Sequence, residues 1–132
     1  MNIAVSATGS TLEAQVDPRF GRCSYFIIVD AETMSFEAFP NVAAGAMGGA
    51  GIQAAQKIAS KGVKVLITGN VGPNAFQTLS AAGIEVVVGA SGTVKEAIQK
   101  YGKGELNKIG SPTVEGHHGM GMGTGRGQRR RE

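Results

Sequence analysis

The sequence predicts a mixed α/β domain, a five-stranded sheet with helices on its faces, on three observations. Short apolar runs alternate with helical patterns over the first hundred residues, and strands separated by single helices pair in parallel through right-handed crossovers. Two β-rich runs near the start lie too close together for a crossover and form an antiparallel hairpin. The chain has 132 residues, 42% of them hydrophobic, which suffices for one core and is too short for two.

The first run, residues 2–6, is apolar and ends in Ala7-Thr8-Gly9-Ser10, as a buried strand entering a polar loop does. A long connection to Cys23 follows. It contains Asp17-Pro18-Arg19-Phe20-Gly21-Arg22, where Asp-Pro favours a turn, and long loops in compact domains are often functional. Residues 25–30 and 35–40 are the hairpin strands, and Pro40 places the second near a sheet edge. After Asn41 a glycine-rich run, residues 44–51, feeds a helix in which Ile52, Ala55, Ile58 and Ala59 share one face and Gly62 is the stop. Residues 63–68 are nearly continuous in apolar side chains, as a strand covered on both faces is. Then come a helix over 73–82, a strand over 84–88 and a last helix over 93–101. From Leu106 the pattern fails in a glycine-interrupted polar tract. The expected organisation is therefore a domain over 1–105 and a flexible tail over 106–132 rich in Gly, His, Met and Arg.

Composition excludes several function classes. The single cysteine, Cys23, rules out an internal disulfide and fits a reducing compartment. The N-terminus has no basic-then-apolar leader, and no run nears the roughly 18 apolar residues of a membrane span, so a cytoplasmic protein without membrane partners is expected. Formal net charge is +3, but residues 1–105 carry eight basic and eight acidic side chains. The excess sits mainly in Arg126, Arg129, Arg130 and Arg131, and without a basic folded face bearing stacking aromatics nucleic acid is not an expected partner. Both histidines lie in the tail, so the core holds no Ser-His-Asp or Cys-His set, and the zincin, Walker A and paired Cys-x-x-Cys patterns are absent. A non-enzyme is expected. The rival hydrolase reading needs a carboxylate metal site from Asp17 and Asp30.

Three stretches carry candidate chemistry. Gly49-Ala50-Gly51-Ile52-Gln53-Ala54 matches G-x-G-x-x-A, but it follows the third strand, and Thr68-Gly69-Asn70-Val71 offers no acid for a ribose. Its general content is a helix N-terminus whose N–H groups favour an anion, with Gly48, Gly49 and Gly51 as the donor surface. Close helix–sheet packing explains the same glycines equally well. In 17–23, Arg19 and Arg22 beside Cys23 would lower the thiol pKa and leave a metal-ligating thiolate, and the arginines would offset an anionic ligand. The alternative is a small buried hydrophobe. In the tail, His117, His118, Met120 and Met122 supply imidazoles and thioethers suited to copper, zinc, nickel or soft iron–sulfur species; an inert solubilising tail is the other reading.

Taken together, Ile3-Ala4-Val5, the block Asp17-Pro18-Arg19-Phe20-Gly21-Arg22-Cys23 before Tyr25-Phe26, Gly49-Ala50-Gly51 before a helix, residues 69–75 and residues 82–86 resemble the dinitrogenase iron-molybdenum cofactor-binding family. That family includes the NifX and NifY accessory proteins and the C-terminal domain of NifB. The resemblance covers residues 1–101 and implies a ribonuclease-H-like fold without nuclease activity. It also implies a role in holding or ferrying iron-molybdenum cofactor, its precursor or a related heterometal–sulfur cluster. The expected function is therefore a non-catalytic cluster carrier in cofactor biosynthesis, meeting a cluster donor or acceptor protein. In that reading Cys23 anchors the cluster, Arg19, Arg22 and the Gly48, Gly49 and Gly51 backbone surround it, and His117, His118, Met120 and Met122 close over it. The alternative is a small-molecule or nucleotide-binding regulatory module.

Overall fold

The computed structural model describes residues 1–45 and 49–109. The elements run β1 (Asn2–Ala7), β2 (Tyr25–Asp30), β3 (Phe36–Pro40), a 3-10 turn (Val42–Gly45), α1 (Ala50–Ala59), β4 (Val65–Ile67), α2 (Pro73–Ala81), β5 (Glu85–Val88), α3 (Val94–Gly102) and β6 (Asn107–Lys108). They form one open sheet in the order β3-β2-β1-β4-β5-β6. β1, β4 and β5 pair in parallel, while β2 is antiparallel to both β1 and β3.

Period-two alternation sorts the strands' side chains between two cores. Ala4, Phe26, Ile28, Leu66 and Val86 point to one face, where they meet Ala54, Ala55 and Ile58 of α1 and Ala75 and Leu79 of α2. Ile3, Val5, Ile27, Val29, Val65, Ile67 and Val87 point to the other, where Val94, Ala97 and Ile98 of α3 cover them. β4 is buried throughout, as its continuous apolar run requires of a central strand.

The sheet has six strands where the sequence pattern predicts five. The sixth is the two-residue β6, whose Asn107 and Lys108 lie antiparallel to Val88 and Val87. Two exposed polar residues carry no hydrophobic periodicity, so the pairing is invisible in the sequence. The Ile109 N–H donates to the Val86 carbonyl at 3.0 Å, and its side chain packs on the α1/α2 core. The first residues assigned to the tail thus belong to the sheet.

The antiparallel hairpin returns β3 to the direction of β1. The carboxyl ends of β3, β1 and β4 therefore share one end of the sheet, and the connections leaving them meet there. In open α/β sheets this end is where ligands bind.

Candidate functional site

A cleft of about 630 Å³ opens at this shared end, within the usual range of ligand pockets. Its walls are the loop after β1, at residues 18–21, the start of α1, at residues 49–52, and the turn from β4 into α2, at Asn70 and residues 72–75.

Alternating burial fixes the first wall. Asp17 and Phe20 are buried, while Arg19 between them is exposed. Phe20 packs its ring 5.2 Å from that of Phe26. The Asp17 N–H donates to the Ser6 carbonyl at 2.8 Å, and the Ser6 hydroxyl donates to the Asp17 carbonyl at 2.6 Å. Ser6 has a single proton, so at the 2.7 Å contact between the two hydroxyls Thr68 is the donor. The Asn70 N–H donates to the Pro18 carbonyl at 2.8 Å. The loop lies so close to the β4–α2 turn that a Cβ on Gly69 would sit 2.5 Å from the Pro18 Cα.

The other two walls are helix starts that bring backbone donors. The first i→i−4 bond of α1 is Gln53 N–H to the Gly49 carbonyl, and that of α2 is Phe76 N–H to the Gly72 carbonyl. No side chain caps either helix. Ala50, Gly51, Ile52, Asn74 and Ala75 line the cleft, and their N–H groups have no partner among the described residues; Pro73 at the start of α2 has no N–H to offer. The start of α3 is different. There the Val94, Lys95 and Glu96 N–H groups go to the Ala14 carbonyl, the Leu12 carbonyl and the Thr93 hydroxyl.

The cleft helices also touch. A Cβ on Gly51 would stand 3.0 Å from the Ala75 Cβ, and one on Gly21 would stand 3.0 Å from the Gly51 nitrogen. Two positive helix ends and the Arg19 guanidinium therefore converge on one space, a cradle for an anion.

Arg19 is held to Asp17: the carboxylate accepts from its backbone N–H at 2.9 Å and from Nε and one Nη at 3.2 Å each. Burial alone would raise the Asp17 pKa, but the Arg19 side chain, backbone N–H and charge outweigh it and hold the carboxyl below its usual value.

Of the expected site residues, the structure brings Arg19, Gly49 and Gly51 to the same cleft and leaves two out. Arg22 is exposed but outside the lining. Cys23 corrects the expectation of a low-pKa thiolate. Its side chain is fully buried in the α1/α2 core, with Sγ donating to the Phe20 carbonyl at 3.3 Å. Desolvation pushes the thiol up to about 12, against opposing hydrogen bonds from the Ala7 backbone and the Asn41 amide. Gly48, His117, His118, Met120 and Met122 lie outside the described residues. Sequence reasoning missed Asn70, Asn74 and the α2 start. The signal was Gly72-Pro73 opening a helix just after a parallel strand, the arrangement that places a helix N-terminus at a crevice.

Among the described residues no three His, Cys, Asp or Glu side chains gather as a metal-holding group, and no helix is long and apolar enough to cross a membrane.

The fold and cleft define a small α/β domain built to present backbone N–H groups and one fixed guanidinium at the end of its sheet. The chain belongs to the dinitrogenase iron-molybdenum cofactor family, whose model matches residues 1–104. It is similar to the orange protein of Desulfovibrio gigas, solved in its apo form, at 45% identity and a TM-score of 0.83, covering 86% of this chain and 96% of that one. A Thermotoga protein provisionally assigned as NifB, solved by NMR, is 43% identical with a TM-score of 0.76, over 87% of this chain and 98% of that one. An uncharacterised protein of Methanocaldococcus jannaschii is 34% identical over 98 residues, 72% of this chain and 83% of its own length.

Proposed function

We propose that the protein is a non-catalytic carrier that holds an anionic metal–sulfur cluster, iron-molybdenum cofactor or a relative of it, in the cleft and passes it to an acceptor protein. One observation carries this reading: the N-termini of α1 and α2, whose first N–H groups have no partner among the described residues, and the Arg19 guanidinium line the same cleft. Sulfides on a cluster accept N–H hydrogen bonds, and anionic cargo is drawn to positive helix ends. Family membership supports the cargo class. Cargo held this way needs no covalent anchor, so it can be released to a partner without breaking a metal–thiolate bond, and Cys23 acts as a core residue.

The test is anaerobic reconstitution with iron, sulfide and molybdate, followed by elemental analysis of the desalted protein. Wild type and Cys23→Ala are expected to retain metal equally and Arg19→Ala to lose most of it. Loss of metal in Cys23→Ala alone would restore the thiolate anchor. A chain ending at Ile109, run in parallel, measures what His117, His118, Met120 and Met122 contribute. The N–H cradle also suits a phosphate, so nucleotide-dependent thermal stabilisation without metal retention would favour the regulatory-module reading.

A further inference from the structure

Resting on that reading, we propose that Asp17 is a positioning residue for the cargo: its buried carboxylate holds the Arg19 guanidinium so that the free edge of the guanidinium faces the cleft. The Asp17 side chain is 4% exposed, while that of Arg19 is 68% exposed. An exposed arginine ordinarily samples many rotamers, and gripping a ligand removes that freedom at an entropic cost. Here Asp17 accepts from Nε and one Nη, a bidentate pairing that fixes both the direction and the plane of the guanidinium before any ligand arrives.

The donor inventory completes the argument. A guanidinium carries five N–H donors; Asp17 takes one from Nε and one from an Nη. Three remain on the edge away from Asp17, enough to meet two sulfides of an anionic face. Residue 17 is itself anchored from below through its backbone: its carbonyl accepts from the Ser6 hydroxyl, which in turn accepts from Thr68, tying the residue to the ends of β1 and β4. The chain linking sheet to ligand edge is thus Thr68, Ser6, Asp17 and Arg19.

Charge and position make opposite predictions. Asp17 cancels the charge of Arg19, so replacing it with Asn makes the cleft one unit more positive; if Asp17 were only a neutralising charge, anion affinity would rise. A positioning role requires affinity to fall. The experiment is anaerobic titration of tetrathiomolybdate, a simple molybdenum–sulfur dianion, into the full chain as wild type, Asp17→Asn, Arg19→Ala and the double variant, with thermal unfolding of each. Asp17→Asn is expected to weaken binding about tenfold, and to change it less than twofold once Arg19 is already Ala. Tighter or unchanged binding in Asp17→Asn, or an equal loss in the Arg19→Ala background, would overturn the positioning role while leaving the carrier reading intact. Absence of binding to the wild type would overturn both.

Discussion

At Cys23 two effects act on one thiol in opposite directions. Burial disfavours a thiolate, and hydrogen bonds from the Ala7 backbone and the Asn41 amide favour it. Burial wins because Sγ is wholly enclosed in the core while Arg19 is turned outward to Asp17. A folded thiol held neutral to about 12, against 9.0 when free, contributes stability that is fully present below the unfolded value and is lost as pH rises from 9 toward 12. Cys23→Ala is expected to lower stability by about 1–2 kcal/mol at neutral pH through the cavity it leaves, and that deficit should shrink in urea unfolding at alkaline pH. Iodoacetamide should label native Cys23 only at the rate of opening. Asp17 has the opposite sign. Its carboxyl is held below 3.8, so its stabilisation is present above that value and is lost as pH falls through the lower folded value. Thermal unfolding should show a steeper acid decline in wild type than in Asp17→Asn.

Helix starts distinguish the cleft from the rest of the molecule. The α3 start is closed by its own capping box, with the Thr93 hydroxyl accepting from Glu96 N–H at 3.1 Å and the Glu96 carboxylate accepting from Thr93 N–H at 2.8 Å. Thr93→Ala is expected to reduce stability by about 1 kcal/mol and to leave metal retention unchanged, since α3 lies on the face opposite α1 and α2. Gly51→Val should do the reverse. Its side chain would have to displace Ala75, parting the two N-termini, so retained metal should fall several-fold while the unfolding transition stays cooperative. A Gly51→Val protein that loads normally would show that the two helix ends do not act together.

At the scale of the molecule, the sheet and its core include residues 107–109. A chain ending at 105 loses β6, the Lys108–Glu85 ion pair at 3.5 Å and the Ile109 contact with the core. It is expected to be less stable than one ending at 109 by about 1 kcal/mol, mostly from apolar burial and not from the exposed ion pair; urea midpoints of the two chains measure this. Strand and helix positions from β1 through α3 are legible in the residues themselves, because each element buries one face and so writes a period of two or 3.6 into the chain. The Asp17–Cys23 block marks the right loop for the same local reason: a turn dipeptide and unpaired charges stand out against apolar runs. What a side chain in that loop does is decided across the fold. Arg19 reaches the cleft and Cys23 the core because the loop is pinned through Asp17 to Ser6, 11 residues away, and through Pro18 to Asn70, about 50 residues away. Likewise, α2 joins α1 at one cleft because parallel pairing brings β4 beside β1. The order of elements from β1 through α3 and the family they belong to are written in local patterns of residues. Which donors converge and which thiol is enclosed are not, because convergence and burial depend on contacts between residues far apart in the chain.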